Sequence, residues 1–233
     1  MKGDKLDCIV SLTSWKGRIY TESVPLHLYC LTHQKTSYNY KVVLVLSDEE
    51  FPGKEKDIPK TIFAMTKMFP NFEILWTHKN TRALKKLDPT MKRYPTVPII
   101  TTDDDIMVRE DFVQCFMDCH RRNPKHIIYA HMFDFPGNNA IKVSGWGRLF
   151  PPLSLCPLDD KYFDTIFKGL EDDVWNGIRA WLAGTPIMKL DAWPFVEQKE
   201  IGNTAFYRQY SKVDPVACYN RLMAELAKKK SKA

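Results

Sequence analysis

Residues 96–111 read TVPIITTDDDIMVRED, a short apolar run that ends abruptly in three consecutive carboxylates. Val97, Ile99 and Ile100 suit a buried strand, with Pro98 at its start and Thr101-Thr102 at its end. Asp103, Asp104 and Asp105 then stand at the strand's carboxyl end, the edge of an open α/β sheet where ligands bind. Three adjacent aspartates repel one another unless a cation sits among them, and oxygen ligands suit a hard ion such as Mg²⁺ or Mn²⁺. A solvated acidic turn is the plainer alternative. The apolar Ile106-Met107-Val108 after the triad argues against it.

Working outward, Cys8–Leu12, Lys41–Leu46 and Phe72–Trp76 read as further strands. Helical patterns at residues 22–34 and 57–69 separate them. That rhythm is the one of βαβ units in a largely parallel sheet. Asp88-Pro89 reads as a helix start, with aspartate as N-cap and proline in the first turn, so Lys85 and Lys86 fall just before a helix. Cations there suit a diphosphate, against the simpler reading of solvated lysines. Beyond the triad the pattern predicts a helix over 109–122, a strand at 126–130, a loop at 131–139, a strand at 140–144 and a turn from Gly145 to Pro152. Trp146, between two glycines, is either a structural ring or one on which the apolar face of a sugar stacks.

A second acidic cluster, Glu171-Asp172-Asp173, opens a helix whose Val174, Ile178 and Leu182 share a face and whose stop is Gly184. Three acids exceed what capping a helix requires. One of them is therefore a candidate general base, with the helix terminus lowering its pKa and desolvation raising it.

At 233 residues the chain has ample length for one large domain. Four of its formal +6 charges are Lys228, Lys229, Lys230 and Lys232, so the body is nearly neutral and nothing points to nucleic acid. No apolar run is long enough to span a bilayer, and Asp7 interrupts any leader-like start, so the expectation is a cytoplasmic protein. The six cysteines lie mostly in apolar runs without a CxxC pair, which suits reduced core thiols; Cys115 and Cys119 share a helix face with Phe112 and Phe116. Residues 213–233 suit a docked helix bearing Val216, Tyr219, Leu222, Met223 and Leu226, with a basic end. The same lysines also suit weak peripheral contact with an anionic inner membrane face.

Five stretches taken in order carry a resemblance: SLTSxxxRI (residues 11–19), KKLDP (85–89), the strand ending in a DxD-type triad, GRLFPP (147–152) and the DDVW helix start. Over about residues 7–190 the chain resembles bacterial GT-A-fold glycosyltransferases, closest to family-2-like enzymes of surface-polysaccharide (capsule or O-antigen) synthesis. The resemblance implies one α/β domain with a Rossmann-like, mostly parallel central sheet flanked by helices and a C-terminal helical extension. Residues 1–108 would form the nucleotide-sugar half and 109–212 the acceptor half. It implies a nucleoside-diphosphate sugar as donor, Mn²⁺ or Mg²⁺ on Asp105 and Asp103, and a saccharide or lipid-linked acceptor. Asp103 would also lie near the ribose, and Thr13 and Arg18 beside the nucleotide. The family's base stands in a Glu-Asp pair seven residues before an arginine and about a dozen before a glycine. Counted back from Arg179 and Gly184 that pair is Asp172-Asp173, making Asp173 the base, with Glu171-Asp172 as the competing register.

The chemistry agrees with that implication. Sugar transfer needs a neutralised diphosphate, for which the triad, a metal and Lys86 or Arg18 serve, then a positioned hydroxyl and a base for its proton. Three other functions fit less well. A phosphatase with a strand-end DxDx[TV] nucleophile would not carry Ile106-Met107 there. A sugar nucleotidyltransferase would carry a glycine-rich loop after its first strand, where SLTSWKGR has one glycine. A non-catalytic carbohydrate-binding protein is the reading from another class, and it would not hydrolyse a nucleotide sugar.

Overall fold

The computed structural model describes residues 5–196 and 213–231. Four parallel strands form its first half: β1 (Cys8–Thr13), β2 (Tyr40–Ser47), β3 (Phe72–Thr77) and β4 (Ile99–Thr101). Helices α1 (Ser23–Thr32), α2 (Lys60–Met68) and α3 (Asp88–Arg93) connect them. After β4 come α4 (Phe112–Arg122), β5 (Ile127–Tyr129), the hairpin β6 (Phe133–Phe135) and β7 (Asn138–Val143), then β8 (Arg148–Phe150), α5 (Asp160–Thr165), α6 (Asp172–Leu182), β9 (Ile187–Lys189) and α7 (Pro215–Lys230). The central sheet runs β3-β2-β1-β4-β8-β5-β9, parallel except for β8, which is antiparallel to both β4 and β5.

Both faces of this sheet are covered, which is why its strands read as nearly continuous apolar runs. Cys8, Val10 and Leu12 of β1 pack on one side with α1, α2 and α4, while Ile9 joins Val43, Val45 and Ile99 on the other. The chain leaves β1 toward β2 and returns to β1's other flank as β4, so the sheet order reverses between β1 and β4. At such a switch point the strand-end loops diverge and leave a crevice. Thr13-Ser14 after β1 and Asp103 to Asp105 after β4 both line it.

Several expected boundaries move for identifiable reasons. The 131–139 loop contains β6 and the start of β7, whose register shifts between Asp134 and Phe135 at the FPGNN turn. The Gly145–Pro152 turn contains β8, a strand only three residues long. Glu110 and Asp111 precede α4 instead of forming its first turn. Asp88 is not an N-cap: α3 begins at Asp88 itself, with Leu87 before it, and the carboxylate accepts a 2.7 Å hydrogen bond from Arg179. The six cysteines are free, and Cys119 is buried with Cys115 half-buried beside it.

The C-terminal helix docks as its pattern predicts. Asp214 accepts from the backbone of Val216 and Ala217, Pro215 occupies the first turn, and Cys218 and Leu222 are buried in one cluster with Ile166, Phe167 and Trp175. Val216, Tyr219, Met223 and Leu226 flank them. Lys232 and residues 197–212 of the expected acceptor half lie outside the described residues. No helix among the described residues is long and apolar enough to cross a membrane.

The seating of α6 matters most for the crevice, because this helix brings the second acidic cluster to it. Gly177 lies inside the helix where it crosses β7, and a Cβ there would sit 2.6 Å from the Lys142 carbonyl oxygen. Backbone cannot yield as a flexible side chain can. Although alanine is the better helix former, Gly177→Ala should therefore destabilise the protein by about 1–3 kcal/mol, read as a lowered urea midpoint.

Candidate active site

The loops at the switch point enclose a cavity of about 340 Å³. Its lining includes Thr13, Ser14 and Arg18 from the segment after β1, and Asp103, Asp104 and Asp105 from the segment after β4. Lys86, Trp146 and the whole second acidic cluster, Glu171 with Asp172 and Asp173, line it as well. The structure therefore brings every residue expected at the site to one cavity.

β1 delivers Thr13 and Ser14, and the turn after it, closed by the Arg18 and Ile19 amides on the Trp15 carbonyl, brings Arg18 to the triad. Thr13 donates to the Val45 carbonyl at 2.7 Å, which ties it to β2. β4 delivers the triad, whose members differ in direction. Asp104 turns inward, only 6% exposed, and accepts from Arg18 and from Ser14, the latter at 2.5 Å. Asp103 and Asp105 are 28% and 32% exposed on the cavity side.

Asp103 begins a chain of ion pairs that crosses the site. Lys86 Nζ lies 2.5 Å from Asp103 and 3.4 Å from Asp172; Arg148 lies 3.2 Å from Asp172 and 2.5 Å from Asp173. Arg18 separately joins Asp104 to Asp105, at 3.1 Å from the latter. In these pairs five carboxylates meet three cations, so the fully ionised network carries excess negative charge.

Burial and that excess act differently on each acid. Burial, with Asp103 nearby, pushes Asp105 up to about 6. Burial also raises Asp104 in spite of Arg18. Asp172 is held below the usual carboxylate range because Lys86 and Arg148 together outweigh its burial. Burial, with Asp172 beside it, pushes Asp173 up to about 7; Arg148 is its one direct partner among the described residues. Of these two neighbours in sequence, one is firmly ionised and the other titrates near neutrality.

Two expectations need correction. The triad does not gather around one cation, because Asp104 is already satisfied by Arg18 and Ser14; among the described residues no group of three or more His, Cys, Asp or Glu side chains is arranged to hold a metal ion. Asp103 and Asp105, though paired with Lys86 and Arg18, are the two members of the triad that face the cavity. One or two carboxylates, completed by substrate phosphates and water, is a donor set that suits Mg²⁺ or Mn²⁺. Lys85 is not a solvated lysine and is not directed at a diphosphate: it is buried against Glu50 at 3.1 Å and Asn80 at 2.7 Å. Arg148 had no assigned role in the sequence. Its signal was a charged side chain in the strand-like Arg-Leu-Phe, where burial demands a counter-charge.

No protein-family model matches the chain, and no curated protein matches it by sequence. Its fold is similar to that of S. aureus TarS 1–349 in complex with UDP-GlcNAc, with a TM-score of 0.53 and 13% identity over 92% of this chain and 64% of that one. It is also similar to the mannosyltransferase PcManGT from Pyrobaculum calidifontis in complex with GDP-Man and Mn²⁺, with a TM-score of 0.54 and 13% identity over 84% of this chain and 58% of that one. The chain thus spans less than two thirds of the length of these neighbours. The fold is of the GT-A, Rossmann-like class, a mostly parallel central sheet flanked by helices with a C-terminal helix.

Arg148 is 2% exposed and faces two carboxylates. Replacing it by an apolar side chain of similar length strips Asp173 of its cation and leaves Asp172 with Lys86 alone. Arg148→Met should cost roughly 3–5 kcal/mol in urea unfolding at pH 8, with the deficit shrinking as the pH falls and the acids protonate.

Proposed function

We propose that the protein is a metal-dependent glycosyltransferase that moves a sugar from a nucleoside-diphosphate sugar to a hydroxyl of a saccharide or lipid-linked saccharide. The observation that carries this reading is the chain of ion pairs. It links the accessible Asp103 to Asp173, a carboxylate titrating near neutrality, and the Arg18 pair holds the accessible Asp105 beside them, all on one cavity at the switch point of the sheet. The ligands named for the structural neighbours, UDP-GlcNAc and GDP-Man with Mn²⁺, belong to the same chemical class.

In this reading Asp103 and Asp105 would hold the divalent ion, which would supply positive charge against the diphosphate. Thr13, Arg18 and Asp104 shape the nucleotide side of the cavity, with Asp104 acting through its pair with Arg18. Lys86 keeps Asp103 oriented. The acceptor oxygen bonds to the anomeric carbon as the bond from that carbon to the diphosphate breaks, and the leaving group takes the electron pair. Asp173 receives the hydroxyl proton. A base on the acceptor side fits inversion at the anomeric carbon. Asp172, paired with both Lys86 and Arg148, is the poorer proton acceptor of the two.

A thermal-shift screen of nucleoside diphosphates and their sugars tests the donor half of the proposal, since a ligand that binds the folded chain raises its melting temperature by mass action. A shift seen with Mn²⁺ and lost with chelator supports it. No shift with any nucleotide, with or without metal, overturns it.

The base assignment has its own signature. Asp173 accepts a proton only when ionised, so kcat should rise with pH through about 7 and level off above. Asp173→Asn should lower kcat on the order of a hundredfold or more and remove that limb, while donor affinity survives. Equal loss of donor binding would mark Asp173 as structural, and the same profile on Asp172→Asn decides the register.

A further inference from the structure

Beside the cavity, and reaching into it at Trp146, lies a cluster of exposed rings that the proposed mechanism has not used. Trp146, Trp193 and Phe133 are 42%, 44% and 46% exposed, although large aromatics are ordinarily among the most buried side chains. The ring of His131 lies among them, 5.6 Å from Trp146, 6.4 Å from Trp193 and 5.7 Å from Phe133. Trp146 and Trp193 are 6.0 Å apart, with their planes steeply inclined at 70°.

The cluster is held in place from below. Gly147 adopts a left-handed conformation, and a Cβ there would sit 2.5 Å from Phe195 Cζ, so only glycine lets Phe195 pack beneath the Trp146 turn. Phe195 in turn supports Trp193 at 5.2 Å. The segment carrying Trp193 is fixed to the backbone just after the triad: Arg109 donates to the Pro194 carbonyl and Val196 to the Met107 carbonyl, each at 2.9 Å. The platform is also continuous with the reaction cavity. Trp146 lines that cavity, and a Cβ on the adjacent Gly145 would lie 3.9 Å from Asp173 Oδ2, the carboxylate oxygen that Arg148 does not hold.

We infer that Trp146, Trp193, His131 and Phe133 form the acceptor platform, and that the acceptor is a pyranoside whose apolar C–H face lies on these rings while its hydroxyl reaches Asp173. An exposed apolar patch alone would serve a lipid chain or a second copy of this protein equally well. A patch that runs within one residue of a cavity-facing carboxylate oxygen favours a molecule with both an apolar face and hydroxyls. The inference rests on the glycosyl-transfer reading and deepens it by naming the residues that receive the saccharide acceptor and the face by which they hold it.

Saturation-transfer NMR with methyl β-glucoside, methyl β-galactoside, methyl N-acetyl-β-glucosaminide and their disaccharides, with glycerol as the ringless control, tests it on the full chain. At least one pyranoside should bind and glycerol should not. Trp193→Ala should weaken that binding on the order of tenfold, and Trp193→Phe should restore most of it. Affinity for the nucleoside diphosphate, read by thermal shift, should stay within about twofold in both variants. Binding of no pyranoside, or equal binding to wild type and Trp193→Ala, overturns the platform. So does a Trp193→Ala effect confined to vesicle binding or to self-association. Nucleotide binding without pyranoside binding removes the platform and leaves the transfer reading standing. Ring-dependent pyranoside binding without any nucleotide binding does the reverse, and identifies a carbohydrate-binding protein.

Discussion

Lys86 is the charge on which the site depends. It is buried, its ammonium pairs with Asp103 at the end of β4 and Asp172 at the start of α6, and the two carboxylates keep it protonated against the cost of burial. An isolated ammonium in that position would be driven toward its neutral form. An isolated Asp172 would be driven toward its protonated form for the same reason. Each charge is tolerable only because another element delivers its partner, so the sheet edge and the helix start are coupled through one side chain.

That coupling requires α6 to approach closely, and two features away from the ion pairs secure it. Gly177 removes the side chain that would hold the helix off the Lys142 carbonyl. Arg179, two residues further on, reaches Asp88 at the start of α3 and the Cys156 carbonyl at 3.1 Å. The short stretch from Lys85 to Asp88 therefore acts at three places: Lys85 on Glu50, Lys86 on the two acidic clusters, Asp88 on α6. A run that looks like a solvated charged turn is a set of buried clamps.

Much of the sheet was legible in the chain because its strands are covered on both faces and so stand out as apolar runs between helical patterns. β1 to β4 stand out as apolar runs with turn residues at their ends, and α4, α6 and the docked α7 by their helical period. β6, β8, α5 and β9 do not stand out, since each is short, lacks a longer apolar run around it, and takes its place from what it packs or pairs with. In the site, the positions of Asp103 to Asp105, Arg18, Lys86, Asp172 and Asp173 along the chain already pointed to one cavity edge. What the chain could not show was the direction each side chain takes. Asp104 faces inward and Lys85 finds Glu50, and both outcomes depend on partners more than thirty residues away. Arg148 is the plainest case: alone in a short apolar strand it has no local pattern, and its meaning comes only from the two aspartates that fold against it.

The contrast between Asp172 and Asp173 arises from the same geometry. The two acids sit in the first turn of one helix, where its dipole favours the ionised form of both. Their partners differ: one oxygen of Asp172 receives both Lys86 and Arg148, while Asp173 shares Arg148 alone and through a single oxygen. Ionising Asp172 first makes ionising Asp173 harder, because the second negative charge has less cation left to face. Adjacent carboxylates with separated proton affinities are the arrangement that acid and base chemistry near pH 7 requires. Burial presses both acids toward the protonated form, so what separates them is the cations they meet. The separation needs one lysine that reaches the first and not the second.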